Sequence, residues 1–141
     1  MLFRNGLAEA KVKYFDQTLE TIVELSKRHD LYIVTNGVTE TQKRRLNQTP
    51  LHKYIKKIFI SEETGYQKPN PEFFNYVFND IGEDERQHSI IVGDSLTSDI
   101  LGGINAGIAT CWFNFRGFDH NPGIIPDYEI NSWKQLNDIV R

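Results

Sequence analysis

Short apolar runs alternate with longer amphipathic segments along most of this 141-residue chain. Four runs predict strands, because their apolar residues are continuous, as burial on both faces of a parallel sheet requires. They are residues 31–35, 57–60, 89–93 and 108–113. Helical patterns occupy residues 16–28, 39–48, 71–80, 97–106 and 132–140. This alternation predicts an α/β fold, with a parallel sheet flanked by helices.

Composition and charge exclude several classes of protein. A net charge of −3 argues against a nucleic-acid surface held by phosphate neutralisation. The single cysteine, Cys111, rules out an intrachain disulfide. The sequence contains no apolar stretch near the ~20 residues that span a bilayer, and its first residues lack a hydrophobic signal core. We therefore expect one cytoplasmic domain that binds neither nucleic acid nor membranes.

Polar clusters follow three of the predicted strands, at the edge where parallel α/β sheets bind their ligands. The first, Thr35-Asn36-Gly37, offers a hydroxyl and backbone N–H groups to an anionic oxygen. A helix N-cap with a turn glycine would give the same pattern. The second, residues 67–71, presents Lys68 on a loop stiffened by two prolines. That lysine either faces a phosphate or carboxylate or is simply solvated.

The third cluster, residues 93–99, is the most informative. Asp94 and Asp99 converge where a strand turns into a helix, and without a cation two such carboxylates repel each other. Mg²⁺ takes one or two protein carboxylates and completes its shell with water and substrate phosphate. The segment therefore favours a magnesium site. The alternative is that Asp94 merely ends the strand while Asp99 lies on a solvated helix face.

Taken in order, three segments resemble the second, third and fourth motifs of the haloacid dehalogenase (HAD) superfamily. They are Val34–Gly37, Lys68–Pro71 and Gly93–Ile100. Residues 60–65 and 102–107 are similar to the branch that includes bacterial pyrimidine 5′-nucleotidases. The resemblance covers nearly the whole chain from about residue 16 onward. It implies a Rossmann-like HAD core and a Mg²⁺-dependent phosphatase.

The resemblance also implies a role for each candidate residue. Phosphate binding would fall to Thr35, Asn36, Gly37 and Lys68. Of these, Thr35 and Lys68 would be catalytic, because they would stabilise charge on the transferring phosphoryl group. Asp94 would ligate Mg²⁺, with Asp99 supporting or sharing that duty. In the family the reaction passes through a covalent aspartyl-phosphate.

The chain departs from the family at its first motif, D-x-D-x-T, which supplies the nucleophile and the acid/base. No such sequence occurs in the 141 residues, and Asp16 only echoes it, with one aspartate where two are needed. The cap domain usual in this branch is also absent. We therefore expect residues 1–141 to form a single, partial HAD-like core domain. Within it, residues 1–15 would be a remnant of the cap or linker, or a replacement strand.

The missing motif lies on a strand that the family places between those ending at Thr35 and Asp94. Without that strand, two inner sheet edges would be exposed, so we predict that something fills the position. Candidates are the N-terminal segment, with weak alternation over residues 10–15, a partner chain, or direct closure of the two edges. A homodimer or a missing N-terminal portion of the protein would therefore complete the sheet.

Two functions remain open at this stage. The first is a phosphatase, most like a 5′-nucleotidase acting on small phosphorylated metabolites or nucleotides, with its nucleophilic aspartate absent from this chain. The second is a catalytically inactive fragment that binds Mg²⁺ or phosphate, or only assembles with a partner chain. Haloacid dehalogenation on the same fold needs no metal and leaves the acidic pair unexplained.

Aromatic residues after the last predicted strand offer a further hint about the substrate. They are Trp112, Phe113, Phe115 and Phe118. Such rings either stack on a nucleobase near the mouth of the site or pack in the core or against another subunit.

Overall fold

A single parallel sheet organises the chain. The computed structural model describes residues 2–4 and 15–140, with side chains from residue 19 onward. The strands are β1 (Leu2–Arg4), β2 (Leu31–Thr35), β3 (Lys57–Ile60), β4 (Ile90–Gly93), β5 (Ala109–Phe113) and β6 (Tyr128–Ile130). All neighbouring strands pair in parallel, in the order β3-β2-β1-β4-β5-β6. The expected α/β class and parallel sheet are thus confirmed.

Helices connect most of the strands. The α-helices are α1 (Phe15–Ser26), α2 (Thr39–Asn47), α3 (Ser61–Thr64), α4 (Pro71–Ile81), α5 (Leu101–Ala106) and α6 (Leu136–Ile139). Short 3₁₀ turns cover Pro50–Lys53, Glu83–His88 and Trp133–Gln135, and a π turn covers Leu96–Ile100. Throughout the described ranges, every helix is too short or too polar to cross a membrane.

The sheet is covered on both faces, which explains the continuous apolar runs in its strands. In β2, Leu31 and Ile33 join one buried cluster, whereas Tyr32 and Val34 join the other. The first cluster includes Ile22 and Leu25 of α1, and also Trp133 and Leu136 near the end of the chain. The second includes Phe73, Phe74, Val77 and Phe78 of α4. Alternate residues of one strand therefore serve two separate cores.

The central position of the sheet is filled by β1. Leu2 lies in register with Leu31 of β2 on one side and with Ile90 of β4 on the other. In this structure, the N-terminal segment of the same chain lies at the position for which the sequence predicts an occupant. The N-terminal stretch that we name as a candidate strand is residues 10–15. Residues 10–14 lie outside the described residues, and Phe15 begins α1.

The structure also contains elements that the apolar pattern does not predict. β6 has only three residues, and two of them are exposed, so it lacks a buried run. α3 is a single turn that follows β3 directly. The predicted helix over 97–106 is divided, because the π turn Leu96–Ile100 precedes α5.

Close packing of α5 on the sheet depends on a glycine. A Cβ atom on Gly103 would lie 2.6 Å from Cγ2 of Ile91 and 2.7 Å from Cγ2 of Thr110. Both methyl groups belong to short branched side chains on neighbouring strands, so neither can move far. This helix can therefore approach β4 and β5 only because the residue at 103 has no side chain.

We predict that Gly103→Ala destabilises the fold by about 1–3 kcal/mol, as overpacking of a core does, although alanine favours helices. Urea unfolding followed by circular dichroism measures the change. Gly123→Ala is the control, because Gly123 is exposed and its added Cβ would meet only Asn121 Oδ1, at 3.3 Å. Its expected change is below about 0.5 kcal/mol. Equal stability of the two variants would contradict this view of α5.

Candidate active site

Two loops that follow β2 and β3 are joined by a reciprocal pair of hydrogen bonds. The backbone N–H of Lys68 donates to Asn36 Oδ1 at 2.9 Å, and Asn36 Nδ2 donates to the Lys68 carbonyl at 3.1 Å. The Lys68–Pro69 peptide bond is cis. The Asn36 side chain therefore fixes the backbone from which the Lys68 side chain extends.

The Lys68 side chain ends in a buried ion pair with Asp99. Lys68 Nζ lies 2.6 Å from Asp99 Oδ1, and both side chains have no exposed surface. Asp99 Oδ2 accepts a hydrogen bond from the Ser95 backbone N–H at 3.2 Å. The Ser98 hydroxyl donates to Oδ1 at 3.4 Å. Asp99 thus uses both oxygens within the protein, and the contact connects the loop after β3 to the loop after β4.

Gly93 makes room for this buried carboxylate. A Cβ atom on Gly93 would lie 2.5 Å from Asp99 Cγ and 2.6 Å from its Cβ. The Ser95 hydroxyl accepts a hydrogen bond from the Ser98 N–H at 3.2 Å and caps the π turn that carries Asp99. The glycine at the end of β4 and the turn that follows it therefore place Asp99 beneath the loop.

Thr35 and Gly37 lie at the same edge of the sheet, after β2. Thr35 is fully buried, and its hydroxyl donates to the Asn36 carbonyl at 3.1 Å. The Gly37 N–H donates to Ser61 Oγ at 2.9 Å. Gln42 Nε2 also donates to the Asn36 carbonyl, at 3.1 Å. A phosphate oxygen could accept from the Gly37 N–H only if Ser61 first gave up this bond.

Asp94 differs from Asp99 because it faces an open cavity. Its side chain is 22% exposed, and the cavity has a volume of about 270 Å³. Arg116 Nη1 lies 3.2 Å from Asp94 Oδ2. Trp112 Nε1 donates to the Asp94 carbonyl at 3.1 Å. The cavity is lined by Asp94, Ser95, Leu96, Thr97, Trp112, Arg116 and Phe118.

The aromatic residues near this cavity have different roles. Trp112 and Phe113 are buried, and Phe113 packs on Trp133 with ring centroids 4.3 Å apart. Core packing is therefore the correct interpretation of these two. Phe118 is 57% exposed and lines the cavity beside Asp94, so part of its surface remains accessible to a ligand.

The oxygen donors at this edge fit a hydrated magnesium ion. Within the described part of the chain, no group of three or more His, Cys, Asp or Glu side chains could hold a metal. Mg²⁺ does not need such a cage, because it keeps several waters and binds through one or two carboxylates plus substrate phosphate. Asp94 is accessible for this purpose. The contacts of Asp99 favour a supporting role over direct ligation.

Sequence reasoning missed three residues of this region, namely Gln42, Ser61 and Arg116. Ser61 follows β3 directly, so the rule that ligands bind at the carboxyl ends of parallel strands could have identified it. Arg116 lies in the loop after β5, where the same rule applies. Gln42 lies on a charged helix and carries no signal of its own.

The family profile of the haloacid dehalogenase-like hydrolases matches residues 2–113. This match covers most of the chain. The chain therefore belongs to the haloacid dehalogenase-like hydrolases.

Individual relatives agree with this assignment. The HAD-hydrolase YfnB of Bacillus subtilis is 48% identical over 138 residues, which are 98% of this chain and 58% of that protein. The pyrimidine 5′-nucleotidase YjjG of Escherichia coli is 42% identical over 108 residues, which are 77% of this chain and 48% of that protein. The crystal structure of YfnB bound to magnesium superposes with a TM-score of 0.86, covering 89% of this chain and 55% of that one.

The chain spans about half the length of the curated relatives it matches, between 48% and 58%. The matched region is the C-terminal part of those proteins. Both facts agree with the expectation that the second, third and fourth motifs are present here.

We predict that Lys68→Met lowers the free energy of unfolding by about 3–5 kcal/mol, because it leaves the buried Asp99 carboxylate without its cation. Lys43→Met is the matched control. Its ion pair with Glu63, at 3.0 Å, has side chains 50% and 39% exposed. Such a surface pair contributes less than about 1 kcal/mol. Urea unfolding of both variants measures the difference, and equal losses would show that the buried pair does not stabilise the fold.

Proposed function

We propose that this chain forms the phosphate- and magnesium-binding part of a HAD-type phosphatase that acts on small phosphate monoesters. The observation that carries the proposal is the buried contact between Lys68 Nζ and Asp99 Oδ1, 2.6 Å long. It holds an ammonium group at the edge of the sheet where Thr35 and Asp94 also lie. Preorganised charge of this kind stabilises a transferring phosphoryl group without reorganisation during the reaction.

Lys68 would act as a fixed electrostatic donor. A lysine ammonium has three N–H donors, and the contact with Asp99 occupies one of them. The other two would bind phosphoryl oxygens only once the surrounding loops open to substrate, because the Lys68 side chain has no exposed surface here. Asn36 holds the Lys68 backbone and Asp99 holds its ammonium group, so the Lys68 side chain is fixed at both ends. Thr35 would add its hydroxyl to the same phosphoryl group by exchanging its bond to the Asn36 carbonyl.

Asp94 would hold Mg²⁺, with Asp99 maintaining the shape of the loop that carries it. When bound, the ion would neutralise charge on phosphoryl oxygens. Asp94 suits this role because its carboxylate is partly exposed and faces the cavity. Ser95 contributes indirectly, because its N–H holds Asp99 while its hydroxyl caps the turn.

The nucleophilic aspartate would come from outside these 141 residues, since the sequence lacks the D-x-D-x-T motif. The chain spans only 58% of YfnB and 48% of YjjG, which supports this part of the proposal. An identical partner chain lacks the motif too, so the N-terminal portion of the relatives that this chain does not match would supply it, by placing its own strand where β1 lies here. The absence of the D-x-D-x-T motif also supports a second candidate function. The chain would then be a catalytically inactive fragment that binds Mg²⁺ or phosphate, or only assembles with a partner chain.

Nucleotides are the substrate class that we favour. The support is the 42% identity to YjjG, whose name describes a pyrimidine 5′-nucleotidase. The exposed face of Phe118 beside Asp94 is compatible with an aromatic base. A net charge of −3 and the absence of a helix able to span a membrane in residues 15–140 give no support for nucleic-acid or membrane partners.

We predict that the chain alone hydrolyses uridine monophosphate or p-nitrophenyl phosphate at background rate. Addition of the N-terminal portion of YfnB that this chain does not match should restore Mg²⁺-dependent release of phosphate, because that portion would supply the nucleophile. In the restored mixture, Asp94→Asn should lower kcat/KM about 10²-fold or more, since charge on the phosphoryl group loses its stabilisation. Colorimetric phosphate detection measures all rates.

Asp84→Asn is the matched control, because Asp84 is an exposed carboxylate on the 3₁₀ turn Glu83–His88. It should leave the restored rate unchanged. Restored turnover that survives Asp94→Asn would refute the metal role. An inactive mixture in which the two parts form a folded complex would favour the inactive fragment instead.

A further inference from the structure

The loop after β5 is closed by its own hydrogen bonds beside the candidate metal site. The Asn114 side chain closes the loop with two hydrogen bonds: its Nδ2 donates to the Phe118 carbonyl at 2.9 Å, and its Oδ1 accepts from the Phe118 N–H at 2.8 Å. Gly117 supplies the left-handed turn, with φ of 69°. The Asn114 N–H donates to the Ile130 carbonyl at 2.8 Å. Residues 114–118, here the Asn114 loop, are thus attached to the sheet at their base.

The Asn114 loop presents Arg116 to Asp94. The guanidinium group lies 3.2 Å from Asp94 Oδ2 and is stacked near two rings, with its carbon 4.5 Å from the centroid of Phe115 and 5.7 Å from that of Phe118. The Arg116 side chain is 37% exposed, so solvent reaches the group. Cation–π contacts of this kind restrain a guanidinium without occupying its N–H donors.

Arg116 and a metal ion would compete for the same carboxylate. Asp94 Oδ2 accepts from Arg116, and Asp94 is also the accessible carboxylate in the proposed magnesium site. A guanidinium released from Asp94 would keep its ring contacts and stay in the cavity, because the Asn114 loop fixes its backbone. It would then present a planar set of donors, which suits two oxygens of one phosphate group.

We infer that Arg116 is a specificity-determining residue that moves between two anions: Asp94 when the metal is absent, and a phosphate oxygen of the substrate when the metal is bound. This inference rests on the proposed magnesium site at Asp94. Metal binding to Asp94 would release the guanidinium group for phosphate, and phosphate binding to the guanidinium group would free Asp94 for the metal. Each ligand would therefore strengthen binding of the other. Such coupling is reciprocal by thermodynamic necessity.

The test measures two binding equilibria of the chain, without turnover. Electron paramagnetic resonance follows binding of Mn²⁺ alone as a substitute for Mg²⁺, and calorimetry follows binding of inorganic phosphate at saturating Mg²⁺. Arg116→Gln should tighten Mn²⁺ binding about two- to fivefold, because a partly exposed ion pair no longer competes. The same variant should weaken phosphate binding about tenfold or more, since a charge-assisted hydrogen bond is lost.

Arg45→Gln is the matched control, because it removes the same charge from an exposed position on α2. It should change neither equilibrium, whereas a general loss of positive charge would shift both in the same way as Arg116→Gln. Tighter Mn²⁺ binding with unchanged phosphate binding would overturn the inference and leave Arg116 as a counter-ion only. Equal Mn²⁺ binding by wild type and Arg116→Gln would overturn it while leaving the magnesium site intact. Failure of every variant to bind Mn²⁺ would overturn the proposed function, and the inference with it.

Discussion

The contact between Lys68 and Asp99 is the constraint on which the rest of the site depends. An ammonium and a carboxylate that are both without exposed surface are costly to bury, and their attraction offsets that cost only when the geometry is good and the remaining oxygens are bonded. Ser95 and Ser98 provide those bonds to Asp99. The pair therefore fixes the distance between the loop after β3 and the loop after β4.

Backbone features at the strand ends make this arrangement possible. Gly93 leaves the volume that the Asp99 carboxyl group fills, and Asn36 holds the peptide groups on both sides of the Lys68 α-carbon. As a result, the two acidic residues of this segment, Asp94 and Asp99, have different contacts and exposure. Asp99 is buried and paired with Lys68, whereas Asp94 faces a cavity beside Arg116. Two carboxylates five positions apart thus occupy very different environments.

The sequence predicts the regular part of the fold well, and the irregular part poorly, for physical reasons. β2 and β3 have the predicted bounds because burial on both faces leaves an unbroken apolar run. β1 and β6, of three residues each, are too short for any periodicity. Motif order predicts the segments that carry the candidate site. It does not predict the conformation of the Asn114 loop or the position of Arg116. Both depend on side-chain contacts between loops, and a local sequence pattern carries no information about such contacts.

The central place of β1 has a consequence for how the chain folds. Leu2 is flanked by β2 and by the much later β4, so the middle of the sheet joins segments far apart in sequence. Such distant pairings carry a large entropic penalty for loop closure before they contribute stability, and they slow folding. During translation, β1 can therefore pair with β4 only after residues 90–93 have left the ribosome.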